Sequence, residues 1–269
     1  MQLTLVQLEQ RAGDVDGNRA RAADAIERAA ARGADLVALP ELWNVGYFAF
    51  DSYAREAEGI EGPTLTELSA LADRHDVALL AGSIVEDLAA SADSGVDVPA
   101  EEGLANTTVF FDREGRRRGV YRKHHLFGYG SAETRLLTPG ERLPTVEFEG
   151  FTLGFTTCYD LRFPELYRDL TEMGATLVLV PSAWPYPRVE HWQTLARARA
   201  IENLTYLATI NGSATFDEGT LLGRSTVYDP WGTPLASAGD DPALVSAEVT
   251  PERVNEVRDD FPAWEDRRR

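Results

Sequence analysis

"GADLVALP" (33–40) and "GATLVLVP" (174–181) agree at Gly, Ala, Leu, Val and Pro. Each is a short apolar run closed by a proline, the pattern of a buried strand that ends where the proline offers its ladder no N–H donor. Each also follows a stretch of helical spacing. Before the first lies "NRARAADAIERAAARG" (18–33), with Asn18 as candidate N-cap and Gly33 as the stop. Before the second lies "PELYRDLTEMG" (164–174), with Pro164 in the first turn and Gly174 as the stop. A shared octapeptide in a shared helix–strand context predicts two α/β halves related by an internal pseudo-repeat within one domain.

The flanking segments fit that frame. In the first half, "LTLVQL" (3–8) reads as a strand, "PTLTELSALADRHD" (63–76) as a helix and "VALLAGSIVE" (77–86) as a strand. The acidic, small-residue stretch "DLAASADSGVDVPAEEG" (87–103) reads as a surface loop between hairpin strands, followed by the strand "NTTVFFD" (106–112). In the second half, "TVEFEGFTLGFTTC" (145–158) reads as a hairpin turning near Gly150, and "EHWQTLARARAIEN" (190–203) as a helix with Trp192, Leu195, Ala198 and Ile201 on its apolar stripe. The tail "VRDDFPAWEDRRR" sets Phe261, Pro262 and Trp264 among charges, as expected of a segment that docks on a surface or a partner.

Composition narrows the function classes. The chain has 269 residues, 43% hydrophobic content and a net charge of -18. Such a field repels nucleic acid and anionic lipid, so neither is expected as a partner. No apolar run reaches the length of a membrane span and the first residues lack a signal-peptide pattern, so a cytoplasmic protein is expected. Among 26 Lys+Arg residues there is a single lysine, Lys123. Acidity with near-total use of Arg suggests adaptation to high salt; a GC-rich genome gives the same bias. Under either pressure the retained lysine is informative.

Cys158, in "FTTCYDLRFPEL" (155–166), is the only cysteine. A lone cysteine is ordinarily a small buried hydrophobe. Here it ends a strand and precedes a polar turn and a helix, a position offering amide donors and a depressed thiol pKa. A nucleophilic thiol needs a base. Four histidines are available (His75, His124, His125 and His191), and a desolvated carboxylate would serve equally. Glu41 directly follows the first apolar octapeptide, at the carboxyl end of a buried strand, where open α/β sheets place functional groups. Lys123, in "YRKHHLFG", offers a compact ammonium able to approach an oxyanion where a planar guanidinium does not fit.

Glu41 in "LPEL", Lys123 in "YRKHHLFG" and Cys158 in "CYDLRFPEL" resemble, in order, the Glu-Lys-Cys triad of the nitrilase superfamily, the carbon–nitrogen hydrolases. "GSIVE", "SAETRLLTPG", "RARAIEN", "DPWG" and "VRDDFP" resemble further family segments, so the likeness spans nearly the whole chain. It implies a four-layer α-β-β-α sandwich over residues 1–269, with 252–269 as a C-terminal extension, and it implies a fourth functional residue, Glu133. It further implies that Glu41 takes the thiol proton and later activates water, while Cys158 attacks the amide carbon. Lys123 and the Tyr159 N–H would stabilise the oxyanion. No metal or organic cofactor is expected.

True nitrilases of the family usually carry Cys-Trp-Glu at the nucleophile; Cys158-Tyr159-Asp160 instead resembles the branches of omega-amidase and deaminated glutathione amidase. The expected substrate is a small carboxylic amide, with N-carbamoyl hydrolysis and nitrile hydrolysis as alternatives that use the same triad. A catalytically silent binding module and a thiol redox protein are the readings outside this class. Tyr159, Arg162 and Trp184 are candidate substrate contacts, and Arg162 either clamps a substrate carboxylate or pairs with Asp160 or Glu165 within its own turn. Family members commonly dimerise, so a homodimer or higher homo-oligomer is expected.

Overall fold

The computed structural model describes residues 1–268. One six-stranded sheet holds β1 (Gln2–Gln7), β2 (Leu36–Ala38), β3 (Ala78–Asp87), β4 (Leu104–Phe111), β5 (Arg117–Arg122) and, from the far end of the chain, β14 (Ala243–Glu248). The other holds β6 (Thr145–Phe148), β7 (Phe151–Phe155), β8 (Leu177–Ser182), β9 (Tyr206–Asn211), β12 (Thr226–Tyr228) and β13 (Pro234–Ser237). A small hairpin of β10 (Thr215–Phe216) and β11 (Gly219–Thr220) stands apart.

The strand orders are β14-β1-β2-β3-β4-β5 and β6-β7-β8-β9-β12-β13. Read in those orders, both sheets pair antiparallel, parallel, parallel, antiparallel, antiparallel. The pseudo-repeat is therefore topological. The parallel pairs need crossovers, supplied by α1 (Val15–Ala30) and α3 (Pro63–His75) in the first half and by α6 (Pro164–Glu172) and α7 (Val189–Asn203) in the second.

The two octapeptides show how each strand serves two layers. Side chains alternate across a strand. Leu36 and Ala38 join Leu177 and Leu179 in the core between the sheets. Val37 and Leu39 face Ala22, Ile26 and Leu68 of α1 and α3, and Val178 and Val180 face Leu170, Trp192 and Ala196 of α6 and α7. Two sheets face to face with helices outside give the α-β-β-α sandwich.

Several local expectations need correction. Helix α1 begins three residues before Asn18 and is capped by Asp14, which accepts from Gly17 N–H. Asn18 is instead buried within the helix, where its amide donates to the Arg11 and Asn44 carbonyls at 2.8 Å each. The acidic loop contains a short helix, α4 (Leu88–Asp93), because Asp87 accepts from Ala90 N–H and caps it. In α7 the buried face is Trp192, Ala196, Arg199, Ala200 and Asn203, while Ile201 is 46% exposed. A strict spacing of three drifts around a helix of 3.6 residues per turn, and the true stripe mixes threes and fours. Two short helices, α2 (Tyr53–Glu56) and α5 (Glu133–Leu136), flank the site described below.

Helix α8 (Pro251–Asp260) buries Val254 and Val257, and Val254 reaches the core between the sheets. Beyond it the tail lies on its own chain. Phe261 rests 5.9 Å from the Trp231 ring, and Trp264 sits beneath the Arg168 and Arg267 guanidiniums at 4.8 and 4.5 Å. Arg269, the last residue of the expected extension, lies outside the described residues.

Candidate active site

The two halves meet at the carboxyl ends of β2 and β8. Glu41 follows Pro40 at the end of β2, and its backbone N–H donates to Ser182 O at 3.4 Å. Its Oε2 accepts from Ala183 N–H at 2.8 Å. Gly82 makes this approach possible. Its φ is +63°, and a Cβ there would stand 2.0 Å from Pro40 O. Ser83 N–H then donates to that same carbonyl at 3.1 Å, and the Ser83 hydroxyl accepts from Leu42 N–H at 3.0 Å. The β3 irregularity at Leu80/Ser83 thus fixes the segment that carries Glu41.

Lys123 follows β5 directly, and its side chain is fully buried. Its ammonium donates to Glu41 Oε1 at 2.8 Å and to Glu133 Oε1 at 2.7 Å. Glu133, the first residue of α5, accepts at Oε2 from Phe127 N–H at 2.8 Å and from the Tyr47 hydroxyl at 3.2 Å. The Asn106 amide, across the β4–β5 ladder, donates to Glu41 Oε1 at 2.8 Å and to Glu133 Oε1 at 3.4 Å. All four sequence-predicted residues converge, since Cys158 stands against Glu41 and Ala183.

Cys158 opens a 3-10 turn (Cys158–Arg162) and is 8% exposed, with φ at +47°. This left-handed conformation is strained for a residue with a Cβ, so neighbours must hold it. Asp160 does much of that. Its fully buried carboxylate accepts from Thr157 N–H at 2.9 Å, Tyr121 hydroxyl at 2.5 Å and His125 N–H at 2.9 Å. Tyr121 and His125 flank Lys123 in sequence, so Asp160 ties the Cys158 turn to the segment bearing the ammonium. Arg199, from α7, adds two N–H bonds to the Leu161 carbonyl at 3.1 and 2.9 Å.

Electrostatics follows from burial. Desolvation pushes Glu41 above its ordinary 4.5, and the Glu133 charge adds to this, against the opposing pull of Lys123. Burial disfavours the Lys123 cation, yet the Glu133 and Glu41 charges together outweigh that and raise it well above 10.5. The Cys158 thiol is pushed well above its ordinary 9.0 by burial and by the Glu41 charge, which outweigh Lys123. This corrects the expectation of a depressed thiol pKa. The turn offers few donors to a buried sulfur beside a carboxylate, so the resting thiol keeps its proton.

A cavity of about 310 Å³ opens above Cys158 and is walled by Tyr47, Phe127, Tyr159, Arg162, Trp184 and Arg188, among others. The three expected substrate contacts therefore line one cavity. Arg162 does not pair with Asp160 or Glu165. Its guanidinium lies 4.9 Å from the Trp184 ring and 3.2 Å from His191 Nδ1. The four histidines have other partners: His125 is held by Asp160, His124 stacks on Tyr121, His191 meets Arg162, and His75 lies 3.8 Å from Glu27. Among the described residues no His, Cys, Asp and Glu cluster is arranged to hold a metal ion.

Comparison with known proteins agrees with this geometry. Residues 2–259 match the carbon-nitrogen hydrolase family. The chain belongs to that family. It is accordingly an enzyme acting on carbon–nitrogen bonds, and its sandwich is the nitrilase-superfamily fold. It is 38% identical over 239 residues to a 2-oxoglutaramate amidase of Paenarthrobacter nicotinovorans, covering 87% of this chain and 79% of that protein. It is 34% identical to the omega-amidase of Homo sapiens, covering 99% and 94% of the two chains. An amidase of Nesterenkonia sp., solved with acrylamide added to its active-site cysteine, superposes with a TM-score of 0.81 at 28% identity, with 98% of each chain covered.

Sequence reasoning missed Asn106, Asp160 and Arg199, while Tyr47 lies in the aromatic loop 44–54 expected to line the pocket. The polar flank of Cys158 was a signal for Asp160. Asn106 gave none, because its partners Glu41 and Glu133 are 65 and 27 residues away.

Proposed function

We propose that this hydrolase converts a small carboxylic amide that also bears a carboxylate into the acid and ammonia, through a thioester on Cys158. The single observation that carries this reading is the buried Glu41–Lys123–Glu133 cluster set against the Cys158 thiol, which lines the cavity. Glu41 takes the thiol proton as sulfur attacks the amide carbon, and gives it to the departing ammonia. The ammonium of Lys123 has three N–H groups, two of which meet carboxylates; the third, with Tyr159 N–H, receives the oxyanion. Glu41 then deprotonates the water that releases the acid. Glu133 holds Lys123 in place.

Arg162 supports the carboxylate. In a chain of net charge -18, it lines the cavity without a carboxylate partner among the described residues, and so does Arg188. The names of the relatives, 2-oxoglutaramate amidase and omega-amidase, point the same way. A homodimer, a cytoplasmic location and tolerance of high salt complete the reading, and the single-domain span with its terminal extension belongs to it. No helix among the described residues is long and apolar enough to cross a membrane.

The test is ammonia release from 2-oxoglutaramate, from its neutral methyl ester, and from nitrile and N-carbamoyl compounds of similar size. The carboxylated amide should be turned over with the highest kcat/KM. Arg162→Gln should raise KM for it but not for the ester. Equal losses on both substrates would make Arg162 structural, and preference for the nitrile or carbamoyl compound would overturn the amide assignment.

A further inference from the structure

Glu41, Glu133 and Lys123 bring two carboxylates to one ammonium in a site without solvent, so full ionisation leaves one negative charge in excess. A buried carboxylate without enough donors takes up a proton and ceases to be a base. The groups that face Glu41 are the Lys123 ammonium, the Glu133 carboxylate, the Cys158 thiol and the Tyr47 ring from the following loop. Only Lys123 among these carries positive charge, and the proposed mechanism also requires it at the oxyanion.

Asn106 fills this gap. It is fully buried in β4, and its carbonyl accepts from Lys123 N–H at 2.9 Å, which makes it the cross-strand neighbour of the lysine. Its Nδ2 reaches the same two oxygens that Lys123 reaches: Glu41 Oε1 at 2.8 Å and Glu133 Oε1 at 3.4 Å. The orientation of the amide is fixed, because ionised carboxylates only accept. Its Oδ1 has no partner among the described residues. A buried amide that leaves its oxygen unpaired in order to spend its NH2 on two carboxylates has been placed there by those carboxylates.

We propose that Asn106 is a positioning residue that keeps Glu41 ionised and in register with Cys158, and that holds Glu41 and Glu133 together while the third N–H of the lysine serves the oxyanion. This rests on Glu41 being the proton acceptor. Asn106 acts through Glu41 and touches no reacting atom.

The experiment follows two pH profiles, kcat/KM for the amide and the rate of Cys158 alkylation by iodoacetamide, in the wild type, Asn106→Ala and Asn106→Ser. Loss of one charged hydrogen bond, with the others kept, raises a carboxylate's titration by about one unit. The acid limb of both profiles should rise by that amount in Asn106→Ala and by less in Asn106→Ser, which keeps one donor and guards against a failure of the alanine variant to fold. An acid limb that stays put in folded variants, with kcat lowered at every pH, overturns the proposal. Alkylation reads the thiol without turnover. A wild type inactive on every amide would therefore sink the proposed reaction while the alkylation limb still judges Asn106. Glu41→Gln should abolish the limb; a limb that persists there removes Glu41, and Asn106 with it.

Discussion

Lys123→Arg conserves charge, and it should nevertheless disable the enzyme. The ammonium is fully buried and meets two carboxylate oxygens at 2.8 and 2.7 Å. A guanidinium is larger and planar, with its charge spread over a fork. It can satisfy the two glutamates only by pushing past the point where the oxyanion forms. Losing an oxyanion donor costs on the order of 10²–10³ in kcat. Lys123→Met separates this effect from stability. Removing one partner of a buried ion pair costs about 3–5 kcal/mol. At roughly 2–4 °C per kcal/mol for a chain of this size, Tm should fall by about 10 °C at neutral pH. The sign with pH is fixed by Lys123 being raised above 10.5: its contribution is full below that value and is lost as pH rises through the higher folded one. Alkali should therefore narrow the gap between Lys123→Met and the wild type, because a neutral amine no longer offsets the two glutamates. Ammonia release and thermal melts across pH measure both effects. Wild-type kcat in Lys123→Arg, or an unchanged Tm in Lys123→Met at pH 7, would refute the reasoning.

Other outcomes follow from the same geometry. The acid limb of kcat/KM in the wild type should lie above the ordinary carboxylate value of 4.5, since burial raises Glu41; a limb at or below it contradicts the assignment. Gly82→Ala should cost about 1–2 kcal/mol for the left-handed backbone alone, plus the clash with Pro40 O, and should lower activity by moving Glu41. A wild-type melt and rate in that variant would remove Gly82 from the account. Asp160→Asn should lose about 2–3 kcal/mol in denaturant unfolding, because one charged acceptor serves several buried donors. It should also slow Cys158 alkylation, and an unaltered alkylation rate would free the nucleophile turn from Asp160.

The architecture was legible because its signal is local and repeated. Leu36-Val37-Ala38 and Leu177-Val178-Leu179 each show a fully apolar strand that must be covered on both faces, which an α-β-β-α stack provides. Glu41, Lys123 and Cys158 were legible because each breaks its context: a carboxylate after an apolar strand, one lysine among arginines, one thiol before a polar turn. Their supports were not. Asn106 sits in "NTTVFF" as an ordinary strand residue, and its role exists only once β5 lies beside it. Arg199 looks like one charge among several in α7 until the helix packs and turns it toward Leu161 O. The direction of the Cys158 shift was also beyond reach, since it depends on how few donors reach the sulfur beside Glu41. The α7 stripe was right at Trp192 and failed at Ile201, because the buried face runs through the polar Arg199, which apolar spacing does not follow.

The most direct test of the account is intact-mass spectrometry of acid-quenched enzyme during turnover of 2-oxoglutaramate. The account predicts a covalent adduct equal to the substrate less ammonia, mapped by peptide digestion to Cys158. In Cys158→Ala, adduct and ammonia release should both be absent, with the fold retained. Ammonia release that persists in Cys158→Ala, or an adduct on any other residue, would contradict it.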